Sequence, residues 1–148
     1  IVLVEQFRIG AIADNSSPWL VELIAGMFDK DEAPSQVAIR EAKEEANLRL
    51  DTQTLMPVMQ YFSSPGGTSE KIHLYAAKVD ASECGGVFGL AEEGEDIKVH
   101  VVELGDALDM VNCGKINNAA TIIGIQWLAL NKQKLLSLWK SQSKNIDD

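Results

Sequence analysis

Between Pro34 and Asn47 the chain reads PSQVAIREAKEEAN, and three glutamates, Glu41, Glu44 and Glu45, crowd into five of its positions. Pro34 suits the first turn of a helix, where its missing N–H would have no partner in any case. Asn47 suits the residue that ends one, because Asn tolerates the left-handed backbone found there. The segment therefore predicts a helix from Pro34 to about Ala46. At roughly 100° per residue, Glu44 lies about 60° to one side of Glu41, and Glu45 about 40° to the other. The three acids share one stripe, while Ser35, Ile39, Ala42 and Ala46 form a separate arc that can face a core. Like charges three and four positions apart weaken a helix, and this chain already carries a net charge of -9.

Two readings of that stripe stand side by side. One is a solvated face with intrahelical ion pairs to Arg40 and Lys43, although by helical angle neither base sits squarely among the acids. The other is a site for a hard divalent cation such as Mg2+, which takes oxygen ligands. The acidic balance argues against nucleic acid or an anionic membrane as partner, since both need positive surface. A bound cation would let so acidic a protein hold a phosphate substrate. The 148 residues suit a single domain with a real core, and no apolar run is long enough to cross a bilayer. Cys84 and Cys113 form no disulfide framework and have no metal-ligand spacing, which suggests a reducing cytoplasm. The chain opens inside the strand-like IVLVEQFR, and a segment before Ile1 is expected.

Further along, strands are predicted at Ile1 to Arg8, Trp19 to Ile24, Leu55 to Phe62, Lys71 to Val79 and Ile97 to Leu104. Gly10 to Pro18 and Gly26 to Glu32 are small and polar and predict loops. A short helix is expected at Asp106 to Asn112, and a long one with helical apolar spacing from Asn117 onward. Strands interspersed with helices, without strict alternation, predict an α/β fold with a mixed sheet flanked by helices.

The fixed spacing carries more information than the charge. Gly26, five residues, Glu32, seven residues, Arg40-Glu41, two residues, Glu44-Glu45, one residue, Asn47-Leu48 resembles the box of Nudix hydrolases, G-x5-E-x7-REUxEExGU with U a bulky aliphatic. Asn47 stands where that pattern has glycine, and Ala42 where it has the aliphatic; neither removes a carboxylate. PWLVELIAGM, SSPGGTSEKIHLY and GLAEEGEDIKVHVV, with EQFRIGA and KINNAATIIGIQWLAL, are similar to the ADP-ribose pyrophosphatase branch, from Ile1 to about Trp139. The resemblance implies a Nudix-type α/β/α sandwich with a mixed β-sheet, one such domain over residues 1–148, and Mg2+ or Mn2+ as cofactor. It also implies a small nucleotide-sugar substrate and a homodimer whose interface the N-terminal segment helps to build.

Roles follow by position. Glu41, Glu44 and Glu45 would bind metal, with the Ala25 carbonyl a further ligand. Arg40 would orient a glutamate, and Gly26 and Glu32 would shape the loop before the helix. Arg8 would contact the substrate, Gly66 and Gly67 would let backbone approach it, and Glu70 would touch it or its metal. Glu93 would be the base that takes a proton from water, with Glu95 in reserve. Trp19 and Phe28 are read as packing residues, and His73 and His100 as structural. The implied reaction is hydrolysis of ADP-ribose to AMP and ribose 5-phosphate. Another sugar nucleotide such as GDP-mannose, or a non-catalytic nucleotide-sugar-binding module, are the alternatives.

Overall fold

The architecture follows from one strand with two buried faces. A computed structural model describes residues 1–14, 17–28, 31–82, 84–90 and 94–144. In β1 (Val2–Phe7), neighbouring side chains point to opposite sides, and Leu3 and Val4 are both completely buried. A strand apolar on both faces belongs in the middle of a sheet with layers above and below it. β1 pairs with β2 (Trp19–Glu22) on one side and β6 (Ile97–Val101) on the other; β5 (Gly86–Phe88) closes the sheet in the order β2-β1-β6-β5.

Val4 and its side of the sheet pack on α1 (Pro34–Ala46) through Ala42, Ala46, Leu48, Ile97 and Val99. Leu3 and the opposite side pack with Val21, Ala107, Ile116 and Ile125, which brings in α2 (Leu104–Asn112) and α3 (Ala119–Lys144). The result is a sheet between helices, the expected α/β/α arrangement. Every strand pairing among the described residues is antiparallel, so the parallel pairs of a mixed sheet are not among them.

α1 begins and ends where its sequence dictates. Pro34 occupies the first turn, and the Ala33 N–H donates to Gln36 Oε1 at 3.0 Å. Asn47 takes the left-handed conformation, φ 53° and ψ 25°. Its N–H donates to the Lys43 carbonyl at 3.0 Å and the Leu48 N–H to that of Ala42 at 2.9 Å, the paired bonds that close a helix end. Leu48 thereby enters the core. Buried on α1 are Val37, Ala42 and Ala46, but so are Glu41 and Glu45; Ser35 and Ile39 are only half-buried. The acid stripe is thus not a solvated face.

α3 is stitched to the end of β2. Asn118 accepts the Thr121 N–H through Oδ1 (3.1 Å) and donates through Nδ2 to the Val21 carbonyl (2.9 Å). Thr121, completely buried, accepts the Leu23 N–H at 3.0 Å. Gly124 lets the helix come this close, since a Cβ there would stand 2.6 Å from Leu23 Cδ1.

Among the described residues, β3 (Met56–Phe62) and β4 (Lys71–Ala76) form a separate hairpin paired only with each other. A cavity of about 500 Å³, lined by residues including Leu48, Leu74, Trp127 and Leu135, lies where the hairpin, α1 and α3 meet. Several local expectations differ from what is seen: β2, β4 and β6 end at Glu22, Ala76 and Val101, short of their expected ends, and α2 starts at Leu104 instead of Asp106. Ile9–Asp14 is a short 3-10 helix where a loop was expected. β5 was not anticipated, because three residues including a glycine carry no periodic signal.

Candidate metal centre

The acids of α1 meet the backbone that leaves β2. Glu45, with 2% of its surface exposed, has both carboxylate oxygens engaged. Oε2 accepts the Ala25 N–H at 3.1 Å, and Oε1 accepts Gln6 Nε2 at 3.4 Å. Burial pushes its carboxyl up to about 7; the Ala25 N–H lowers it, the charges of Glu41 and Glu95 raise it, and Gln6 lowers it slightly. Glu41 is also held above the usual carboxylate range, first by burial and then by Glu44 and Glu95, with Arg40 opposing.

Gly26 exists for Glu41. A Cβ at position 26 would lie 1.7 Å from Glu41 Oε1 and 2.0 Å from its Cδ, so only glycine lets the carboxylate close over the backbone there.

Arg40 is the hub of the cluster. Its Nε donates to Glu32 Oε1 (3.1 Å) and its Nη1 to both Glu41 Oε1 (2.7 Å) and Glu44 Oε2 (2.9 Å). Nη2 reaches the Met27 carbonyl (3.1 Å) and Glu32 Oε2 (3.2 Å). Hydrogen bonding to Glu32 above all, together with Glu44 and Glu41, raises the guanidinium pKa beyond its already high value. This corrects the helical-angle expectation that no base sits among the acids. A guanidinium is a wide planar fork and reaches Glu41, next to it in sequence, as well as Glu44 one turn on. It also ties Met27 and Glu32 to the helix.

Oxygen donors of this kind suit a hard divalent cation, and burial is what chiefly raises the Glu45 carboxyl among them. Among the described residues, however, no three His, Cys, Asp or Glu side chains converge as one ligand set. Glu41 and Glu44 instead share Arg40 Nη1 as their partner. Glu95 joins the cluster electrostatically through its effect on Glu41 and Glu45. Its carboxylate accepts the Leu90 N–H at 3.0 Å. Glu93 lies outside the described residues.

The other anticipated residues are more dispersed. Arg8, at the end of β1, pairs with Glu22 at 2.8 Å, beside an edge-on Phe7–Trp19 pair with ring centroids 5.8 Å apart. Gly66 and Gly67 sit in an exposed turn in which the Gly67 N–H meets the Ser64 carbonyl at 2.9 Å. Neither needs glycine for its own fold: a Cβ at Gly66 would meet nothing within 4 Å, and at Gly67 only Ser64 Oγ at 4.0 Å. Glu70 is exposed on the same loop, where its charge acts on Tyr61. Trp19 and Phe28, expected to pack, are both exposed. Phe28 stands edge-on to His73 at 5.7 Å and links the loop before α1 to the hairpin. His100 Nε2 lies 2.8 Å from Glu5 Oε2.

Sequence reasoning overlooked Gln6, Asn118 and Thr121. Gln6 had a signal: it is a polar residue at the position where the Val2, Val4 alternation calls for an apolar one.

The NUDIX domain family model matches residues 1–123. The ADP-ribose pyrophosphatase of Haemophilus influenzae is 48% identical over 143 residues, covering 95% of this chain and 65% of the relative. That of Escherichia coli (strain K12) is 46% identical over 139 residues, covering 94% and 66%. The GDP-mannose pyrophosphatase of Cronobacter sakazakii is 36% identical over 135 residues, covering 88% and 66%. The chain thus spans about two thirds of the length of the curated relatives it matches. With its glycine, arginine and glutamates assembled at the spacing described and the family model running from Ile1 to Ile123, this chain belongs to the Nudix family.

Proposed function

We propose that this chain is the hydrolytic unit of a divalent-metal-dependent pyrophosphatase that splits ADP-ribose and water into AMP and ribose 5-phosphate. One observation carries the chemistry: Glu41 and Glu45 are buried together with their carboxyls pushed upward, an arrangement a divalent cation would relieve. The choice of substrate rests on the two ADP-ribose pyrophosphatases at 46–48% identity, against 36% for the GDP-mannose enzyme.

In this reading Glu41, Glu44, Glu45 and the Ala25 carbonyl would hold the cation, Mg2+ or Mn2+. Held there, it would supply positive charge to the pyrophosphate and make water more acidic. Arg40 positions Glu41 and Glu44 and keeps Met27 and Glu32 against the helix. Arg8 exchanges part of its pairing with Glu22 for the substrate. Gly66 and Gly67 leave their turn open to a close-lying ligand, and Glu70 faces that ligand from the same loop. Glu93 accepts the proton from the attacking water, with Glu95 the other carboxylate at hand for that role. The working unit is a homodimer, to be read as molar mass in solution.

Product chromatography after incubation with Mg2+ tests the proposal. AMP and ribose 5-phosphate from ADP-ribose, abolished by chelator, is the expected result. Turnover of GDP-mannose alone would keep the chemistry and overturn the substrate. Binding of either sugar nucleotide without turnover would leave a binding module.

A further inference from the structure

Among the described residues, four polar side chains are buried: Gln6, Glu41, Glu45 and Thr121. Thr121 has a structural duty at Leu23, and the two glutamates belong to the centre above. Gln6 alone has no role so far.

Its place in the fold is informative. Val4, two residues earlier on the same side of β1, packs on Ala42 and Ala46 of α1. Gln6 continues that face and meets α1 at Glu45 instead, with Nε2 3.4 Å from Oε1. An apolar side chain at position 6 would extend the core by one residue. A buried amide costs free energy unless its hydrogen bonds are made, so its presence here calls for a partner that needs it.

Glu45 is that partner. The Ala25 N–H holds one of its oxygens and Gln6 the other. With an N–H on each oxygen, at 3.1 Å from Ala25 and at a longer 3.4 Å from Gln6, the carboxylate is biased toward one orientation, and its remaining lone pairs toward one direction. A neutral donor suits this task. Lysine or arginine at position 6 would hold the carboxylate equally well but would itself occupy the place of a cation. We infer that Gln6 is a positioning residue, which fixes the Glu45 carboxylate in the orientation that receives a divalent cation. The inference rests on the metal reading above and assigns to it a residue outside the box.

The test is Mn2+ binding, followed by electron paramagnetic resonance, to the wild-type chain and to Gln6→Met and Gln6→Asn. Methionine keeps length and packing without a donor; asparagine keeps the amide but stops one methylene short. Both are expected to weaken the Mn2+ Kd by about 10- to 100-fold, the usual effect of losing a group that supports a metal ligand. Turnover should recover toward wild type as Mn2+ is raised. An unchanged Kd in Gln6→Met would overturn the inference, because a merely structural Gln6 is replaced there without loss of packing. A second measurement needs no variant: in the ¹⁵N-labelled wild-type chain, the Gln6 side-chain amide should shift on addition of Mg2+, with the midpoint of metal binding. An amide that stays put while the cation binds also overturns it. If the wild-type chain itself fails to bind Mn2+, the metal reading falls first, and that outcome is distinct from the other two.

Discussion

At the scale of single residues, the proposed metal role of Glu45 pits folding against function. Its carboxylate is buried and its charge costs free energy there, a cost that the cation of the proposed centre would relieve. Glu45→Gln should therefore raise the melting temperature of the metal-free chain while abolishing the further rise on adding Mg2+. Turnover should fall by more than about 100-fold, equivalent to about 3 kcal/mol of barrier. Calorimetry with and without chelator, together with product analysis, checks both halves; a variant of unchanged activity would remove Glu45 from the centre. Gly26→Ala acts from the other side. Its methyl would overlap Glu41 Oε1, and the displacement should cost about 1–3 kcal/mol in urea unfolding and weaken Mn2+ binding. These two positions were legible in the sequence because the box fixes them by spacing. Gln6 was visible only as a break in strand alternation, and the Arg40 contacts not at all. A helical projection treats a side chain as a direction, whereas a guanidinium spans several neighbours.

The elements differ in how strongly local sequence decides them. α1 carries its own start and stop, Pro34 and Asn47, and its bounds are those expected. Asn47→Ala should lose roughly 1–2 kcal/mol, because a Cβ without Asn's local hydrogen bonding is strained in the left-handed region. Asn47→Gly should match or exceed wild type in a chemical denaturation series. The hairpin of β3 and β4 is the opposite case. Both strands were recognisable, but their separation from the main sheet was not, since pairing partners are a tertiary property. Bordered by the large cavity, it should show weaker amide-exchange protection than β1 and β6; equal protection would contradict that reading. β5 was illegible because its three residues are held by β6 rather than by any preference of their own.

For the whole molecule, the acid cluster sets a pH dependence whose sign can be worked out. Folding raises the Glu45 carboxyl from 4.5 to about 7, so the folded state binds the proton more tightly than the unfolded one. That contribution is fully present below about pH 4.5, where both states are protonated, and is lost as pH rises through about 7. The metal-free chain should lose roughly 3 kcal/mol of stability across this window, with Glu41 acting in the same direction. Melting curves from pH 4.5 to 8 in chelator should slope downward, and saturating Mg2+ should flatten them.

The bonds from Asn118 and Thr121 to Val21 and Leu23 have a further consequence. During synthesis the box glutamates leave the ribosome long before the residues that brace the strand leading to Ala25. A nascent chain therefore carries its acids with no fixed backbone to set them against. Competence to bind a cation should arrive late, when α3 docks, and not when the box itself has been made.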